Sequence, residues 1–184
     1  MSVIQIYSLP DIGLYTEDYV LRKKSRELSP DELSEGWFKQ LIFDMYETLY
    51  TIPDGTGMAA PQVGFPIRVV VIDVEMDGSD PIVLVNPIYV PDGDETFPIR
   101  ETCLSLPRFA GEVTRHSRVI VKALDQHGRP VELTGEGLLS SVFQHEIDHL
   151  DGILYIDLMD DIESLEETTY HSELAAKALQ NLKL

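Results

Sequence analysis

Apolar residues recur at helical spacing in the stretch between Trp37 and Tyr50. Trp37, Leu41, Met45 and Leu49 are four residues apart, a pattern that predicts a helix with one buried face. A Pro-Asp-Gly sequence follows shortly afterwards and predicts the end of this helix and the start of a loop. The first predicted element is therefore an amphipathic helix followed by a glycine-punctuated segment.

A second helix is predicted from about Leu138 to Leu150. Its apolar residues fall on two neighbouring stripes, so we expect most of its surface to be buried. Thr134 is a suitable N-cap for this helix, and Gly152 is a suitable stop. A further helix is predicted over the C-terminal residues 162–184.

Runs of β-branched residues predict the strands. Ile67 to Val74 and Ile82 to Val90 are such runs, each bounded by glycine and proline. Val119 to Leu124 and Val131 to Leu133 flank a polar, glycine-containing segment, which predicts a hairpin. Predicted strands and helices are segregated along the chain instead of alternating strictly, so the predicted fold class is α+β.

Composition restricts the partners that the chain can have. Its 184 residues favour a single domain over 1–184, and its 32 acidic against 14 basic residues give a formal charge of −18. This charge argues against binding to nucleic acid or to an anionic membrane surface. The single cysteine excludes an internal disulfide, and no stretch is typical of a membrane span or a signal peptide. We therefore expect a cytoplasmic protein.

The sequence His145-Glu146-Ile147-Asp148-His149 is an HExxH motif inside the second predicted helix. Residues i and i+4 share one face of a helix, so both imidazoles can bind a single metal ion. Glu146 is adjacent and can take a proton from a water molecule at that metal. The alternative, two core histidines that happen to be four residues apart, leaves a buried glutamate without a purpose.

Two histidines leave a third protein ligand to be found. Cys103 is one candidate, in the segment from Glu101 to Pro107 that we expect to be a loop between strands. His171 and the glutamates between 163 and 173 are others, as in a metalloprotease whose third ligand lies downstream. A lone cysteine is often a small core residue, so spacing alone leaves the choice open.

A glycine-rich segment, GTGMAAPQVG, covers residues 55–64. It lacks the Lys-Ser/Thr pair of a phosphate-binding P-loop, and it follows a predicted helix where a dinucleotide-binding loop would follow a strand. Its glycines instead allow the backbone to approach an extended ligand closely, and Gln62 offers an amide donor.

Together these three segments resemble the peptide deformylase family, whose GxGxAAxQ, EGCxS and HExxH motifs occur in this order. Here they read GTGMAAPQ (55–62), ETCLS (101–105) and QHEIDHL (144–150). The resemblance runs from about residue 37 to 158 and leaves an acidic tail, 159–184. It implies a single α+β domain in which the HExxH helix is central and packs among antiparallel or mixed sheets, with a helix at the C-terminus.

The resemblance also implies roles for individual residues. It implies one divalent metal ion, Fe(II) first and zinc, nickel or cobalt as alternatives, on Cys103, His145 and His149. It implies Glu146 as the catalytic acid and base, and Gln62 with the backbone amide of Leu104 as oxyanion donors. The substrate-binding residues expected on this basis are Thr56, Gly57, Ile99, Glu101, Arg115, Leu138 and Val142. Gly57 would pair with the peptide backbone, and Arg115 would close the rim of an apolar pocket.

The activity that the resemblance implies is removal of the formyl group from the N-terminal formyl-methionine of new polypeptides, which releases formate. The implied partners are N-formyl-methionyl nascent peptides and, transiently, the ribosome. Some family members dock on the ribosome through a basic C-terminal helix, whereas the tail here has six acidic residues against two lysines. Two alternatives stay open, an HExxH protease with a downstream ligand and a non-catalytic peptide-binding module with a structural metal.

One residue departs from the family pattern. Thr102 stands where the EGCxS motif has glycine. If this position requires a positive φ, a β-branched residue would be strained there.

Overall fold

The structure, a computed structural model of the chain, describes residues 3–6, 19–53, 55–75, 78 and 81–168. Its helices are α1 (Pro30–Leu33), α2 (Gly36–Leu49) and α3 (Leu138–Leu150). Its strands are β1 (Gly57–Ala59), β2 (Val69–Ile72), β3 (Ile82–Pro91), β4 (Thr96–Cys103), β5 (Leu106–His116), β6 (Arg118–Leu124), β7 (Pro130–Glu136) and β8 (Glu166–Glu167). Short 3-10 helical turns occur at Val20–Arg22, Ala60–Val63, Tyr155–Asp157 and Ile162–Ser164.

The strands form two sheets whose paired strands are all antiparallel. One sheet has five strands in the order β1-β2-β3-β6-β7, and the other has three in the order β4-β5-β8. Helix α3 contacts strands of both sheets. Its apolar side chains Phe143, Ile147 and Leu150 are buried with those of the five-stranded sheet. The predicted α+β fold with the HExxH helix among antiparallel sheets is confirmed.

Most of the predicted helices and strands occur close to their predicted bounds. The stripe on α2 is buried at Leu41, Met45 and Leu49, but Trp37 is 37% exposed and its neighbour Phe38 is buried in its place. The bounds of α3 match the prediction, whereas its predicted N-cap is wrong. Gly137, with φ 54°, occupies that position, and Thr134 belongs to β7.

The hairpin of β4 and β5 is the largest element that the sequence did not predict. The segment from Glu101 onward is not the expected loop, because Glu101–Cys103 end β4 and the turn before β5 has only two residues. Proline, glycine and charged residues interrupt the apolar pattern of both strands. In β4 exposed Thr96, Pro98 and Arg100 alternate with part-buried Phe97 and Ile99.

The predicted C-terminal helix falls mainly on residues 169–184, which lie outside the described residues. The described residues before them form a 3-10 turn and β8, which pairs with β5. Of the helices in the described parts of the chain, none has both the length and the apolar character that a membrane span requires.

Candidate metal centre and active-site cavity

Cys103, His145 and His149 each bring one donor atom to a common point, and these atoms lie within 4.8 Å of one another. The two histidines are one turn apart on α3, with ring centroids 4.9 Å apart. Cys103 ends β4, and its Sγ lies 3.2 Å from His149 Nε2. Within the described residues, no other group of three histidine, cysteine, aspartate or glutamate side chains converges in this way.

The third ligand is therefore available from Cys103. Its downstream competitors do not join the cluster in the described part of the chain, because Glu163, Glu166 and Glu167 are exposed on the last turn and strand. His171 lies outside the described residues. A thiolate and two imidazoles fit a transition metal or zinc, and three protein ligands beside a cavity are typical of a catalytic site with one open position.

Glu101 fixes the orientation of the His145 ring. His145 Nδ1 donates to Glu101 Oε2 at 2.8 Å, so the Nε2 side of the ring faces the cluster. Arg115 donates to both carboxylate oxygens, at 2.7 and 3.0 Å, and to Asp148 Oδ2 at 2.6 Å. Carboxylates that hold ligating histidines in this way support a metal site from behind.

Arg115 is not at the rim of the cavity, so the expectation that it closes a substrate pocket is wrong. Its side chain is 3% exposed, and it is absent from the cavity wall. The physical reason is that its guanidinium neutralises the two buried carboxylates of Glu101 and Asp148. Glu101, also expected to contact substrate, has both oxygens engaged by Arg115 and His145.

The buried charges shift one another's pKa values. Burial raises the pKa of Glu101, but the charges and hydrogen bonds of His145 and Arg115 outweigh burial and hold that pKa at about 2. Burial lowers the pKa of His145, but the charges and hydrogen bonds of Glu101 and Cys103 outweigh burial and hold that pKa well above its ordinary value. Burial, with the charge of His145, holds the pKa of His149 well below its ordinary value.

Glu146 lies beside the cluster in a different environment. It is 5% exposed, and its Oε2 has no hydrogen-bond partner among the described residues. Burial raises its pKa to about 7. Gly57 makes room for this carboxylate, since a Cβ there would lie 2.7 Å from Glu146 Oε1. Glu146 can therefore gain or lose a proton near neutrality.

Gln62 approaches the cluster from the turn that follows β1. The Ala59 N–H donates to Gln62 Oε1 at 2.8 Å, which fixes the amide so that its Nε2 faces the other way. This nitrogen donates to Ser105 Oγ at 3.2 Å and lies 3.6 Å from Cys103 Sγ. The side chain is thus an oriented donor next to the proposed metal ligand.

A cavity of about 220 Å³ opens beside these groups. It is lined by six of the seven residues expected to bind substrate, namely Thr56, Gly57, Ile99, Glu101, Leu138 and Val142, and also by Leu104. Gly55 and Thr102, which belong to the first two motifs, line it as well, and so do Arg100 and Ser141, which the sequence analysis did not predict. Ser141 could have been found from its spacing, because it precedes His145 by one helical turn and donates to Glu101 Oε1 at 3.2 Å.

Thr102 does not carry the strain that its departure from the motif suggested. It lies in β4, and Asn86 is the one non-glycine residue with a positive φ in the described parts of the chain. A β-branched residue is well suited to a strand. The substitution therefore alters the cavity wall without straining the backbone that carries Cys103.

Comparison with known proteins gives a consistent result. A family model described as polypeptide deformylase matches residues 11–165. The chain is 48% identical over 157 residues to a peptide deformylase of Lachnoclostridium phytofermentans, covering 85% of this chain and 92% of the relative. It is 43% identical over 159 residues to one from Chromohalobacter salexigens, covering 86% and 87%. The crystal structure of peptide deformylase from Thermotoga maritima matches with a TM-score of 0.75 at 36% identity, covering 88% of this chain and 100% of that one.

Proposed function

The chain belongs to the peptide deformylase family, and from this membership we propose that it removes the formyl group from the N-terminal formyl-methionine of newly synthesised polypeptides. The observation that carries the proposal is the convergence of Cys103, His145 and His149 at a cavity beside Glu146. The reaction is the hydrolysis of a linear amide, with formate and a free amino group as products.

Cys103, His145 and His149 are the residues that would hold the metal. A divalent ion bound there supplies a Lewis acid for the formyl carbonyl and lowers the pKa of water. The ion that we propose is Fe(II), with zinc, nickel or cobalt able to replace it, because a thiolate with two imidazoles suits these metals better than magnesium or calcium.

Glu146 is the proposed acid and base. It takes a proton from the attacking water and returns it to the leaving amine nitrogen, so the same carboxylate must hold a proton between the two steps. Its burial and its pKa of about 7 suit both transfers. Gln62 Nε2 and the Leu104 N–H are the proposed donors to the oxyanion that forms on the formyl oxygen. Glu101 and Arg115 act behind His145 and hold its ring in place.

The substrate peptide is proposed to lie between two strand edges. Strand β1 is at one edge of the five-stranded sheet and β4 is at one edge of the three-stranded sheet, and residues of both line the cavity. Free strand edges pair with extended peptides. Gly57 offers its backbone on the β1 side. Ile99, Leu104, Leu138 and Val142 form the apolar wall for the methionine side chain.

These nascent peptides are made by ribosomes, so we propose that the enzyme acts in the cytoplasm and contacts the ribosome only transiently. The charge of −18 supports a brief contact, because it opposes lasting adhesion to ribosomal RNA. A pull-down of the purified chain with ribosomes at low and at high salt tests this part of the proposal. Retention that survives high salt contradicts it.

The decisive experiment is hydrolysis of a formyl-Met peptide, with formate measured directly, by the native chain and by Cys103→Ala. We expect turnover by the native chain and loss of both metal and turnover in Cys103→Ala, whereas the matched control His171→Ala keeps both. If Cys103→Ala keeps its metal and His171→Ala loses it, the protease with a downstream ligand is favoured. A native chain that binds the peptide without releasing formate favours the binding module.

The choice of metal has its own test. Protein prepared without oxygen is compared with protein prepared in air for activity, for iron content and for the intact mass of the Cys103 peptide. If the metal is Fe(II), we expect activity and iron to be lost in air, because Fe(II) and an accessible thiolate both oxidise. Activity should recover when nickel or cobalt is added under reducing conditions. Equal activity and equal iron in the two preparations would rule out the ferrous assignment and leave the reaction itself unaffected.

A further inference from the structure

Arg100 is the exposed charge on the cavity wall. Of the carboxylates and guanidinium groups that line the cavity, Glu101 and Glu146 are each 5% exposed. The Arg100 side chain is 54% exposed. Because the carboxylate of Glu101 is already engaged from behind the wall, Arg100, whose guanidinium pairs with Glu166 on β8, is the charged residue of the wall that stays accessible to an entering peptide.

The guanidinium has capacity for a second anion. Its Nε and Nη2 both donate to one oxygen, Glu166 Oε2, at 3.1 and 2.8 Å, and its Nη1 has no partner in the described parts of the chain. Glu166 is itself 65% exposed. An ion pair this exposed to solvent is weak, so Arg100 can share or exchange its partner.

The position of Arg100 in β4 determines which residue of the substrate it can contact. It lies three residues before Cys103, a distance of about 10 Å along a strand, and its long side chain covers part of that distance. Arg100 and Ile99 are consecutive in β4 and therefore face opposite sides of the sheet. A peptide extended along β4 alternates in the same way. When its first side chain lies against Ile99, its second side chain lies on the Arg100 side.

We propose that Arg100 is a specificity-determining residue that binds a carboxylate of the peptide, so that an acidic second residue is favoured over a neutral one. This inference rests on the proposed function. The charge of the whole chain makes the effect distinctive, because a net −18 disfavours the approach of acidic peptides to the protein as a whole. Arg100 reverses that tendency at the cavity.

The test compares amidated peptides that differ by one isosteric change. Formyl-Met-Asp-Ala-amide is compared with formyl-Met-Asn-Ala-amide, and the same pair is made with Asp or Asn as the third residue. Formyl-Met-Ala-Ala as a free acid and as an amide separates a terminal carboxylate from a side-chain carboxylate. We expect the Asp/Asn ratio of kcat/KM at the second residue to exceed one at low salt and to fall toward one as salt screens the pair.

Two variants and a matched control assign the effect to Arg100. Arg100→Gln is expected to lower the Asp/Asn ratio about two- to fivefold, the range of an exposed ion pair. Glu166→Gln releases the guanidinium and is expected to raise the ratio. Arg108→Gln is the control, because Arg108 is 55% exposed and pairs with Glu167 on the same sheet, yet does not line the cavity. It removes the same charge and is expected to leave the ratio unchanged.

Three outcomes would overturn the proposal: a native ratio of one or less at low salt, an unchanged ratio in Arg100→Gln, or an equal fall in Arg108→Gln. A larger ratio at the third residue than at the second would contradict the alternation argument in particular. If none of the formylated peptides is hydrolysed, the proposed function itself fails. Hydrolysis without an acidic preference rejects only the role of Arg100.

Discussion

Two glutamates from different elements line the same cavity, and they are equally buried but differ in their hydrogen-bond partners and charge environment. Glu101 on β4 and Glu146 on α3 are each 5% exposed. Glu101 is bonded by Arg115, His145 and Ser141, and its pKa is held at about 2. Glu146 Oε2 has no partner within the described residues, and burial raises the pKa of this side chain to about 7.

The partners of a buried carboxylate, more than its depth, therefore determine what it can do. Glu101 remains charged over the whole physiological range because positive groups surround it, so it can orient a ligand but cannot exchange protons. Glu146 has no such partner and can hold or release a proton near neutrality. In the proposed function, one carboxylate supports the metal site and the other transfers the proton.

The largest expected effect of breaking this contrast comes from Glu146→Gln. The amide keeps the size of the side chain but cannot take a proton, so we expect kcat to fall by about 10²- to 10⁴-fold while the metal stays bound. Metal content by elemental analysis and turnover of a formyl-Met peptide check both parts. Loss of metal from Glu146→Gln would show that Glu146 is a ligand and that the two glutamates do not divide their roles in this way.

Gly57→Ala tests the position of Glu146 without changing its chemistry. A Cβ at residue 57 would lie 2.7 Å from Glu146 Oε1 and 2.8 Å from its Cγ, so the carboxylate must move. A displacement on the order of 1 Å costs about 10²-fold in rate, and we expect a fall in kcat of this size with the metal retained. Gly36→Ala is the matched control, because a Cβ there meets no atom within 4 Å. Equal rates for the two variants would contradict the close packing of Gly57 and Glu146.

Glu101→Gln should give the opposite pattern to Glu146→Gln. The amide holds His145 less firmly and leaves Arg115 with less compensating charge, so we expect metal affinity to fall about 10- to 100-fold. The free energy of unfolding should fall by up to about 3–5 kcal/mol. Competition with a chelator and denaturant unfolding measure these quantities. Glu112→Gln, an exposed glutamate on β5, is the control. Unchanged metal affinity in Glu101→Gln would remove Glu101 from the support of His145.

The sequence contained enough information for the two histidines of the metal cluster and for helices α2 and α3. Both depend on local spacing: His145 and His149 lie one turn apart wherever α3 packs, and α3 begins and ends where the pattern placed it. The β4 and β5 hairpin could not be predicted in the same way. Its strands are stabilised by pairing with each other across a two-residue turn, and no apolar run marks them.

The role of Arg115 was out of reach for the same physical reason. Its partners Glu101 and Asp148 are 14 and 33 residues away along the chain, and only the packing of β4, β5 and α3 brings them together. An isolated basic residue in a strand is typically exposed. Long-range pairing buries it here. The same pairing places exposed Arg100 on the cavity wall, which motif spacing also did not indicate.

The smallest expected effect lies at the far end of the Glu101 network, at Tyr89. Its hydroxyl donates to Asp148 Oδ1 at 3.3 Å, and burial, with the charge of Asp148, raises its pKa to about 12. Tyr89→Phe should lower the free energy of unfolding by about 0.5–1.5 kcal/mol, the contribution of one hydrogen bond.

Turnover by Tyr89→Phe should stay near the native value, because Asp148 keeps its bond to Arg115 at 2.6 Å and the groups around His145 do not move. Tyr50→Phe is the matched control, since it removes a 2.7 Å bond to the buried carboxylate of Asp73 outside this network. Denaturant unfolding and kcat are measured for both variants. A fall in kcat confined to Tyr89→Phe would mean that the support of His145 extends through Asp148 to the five-stranded sheet, and that the contrast between the two glutamates depends on more than their immediate partners.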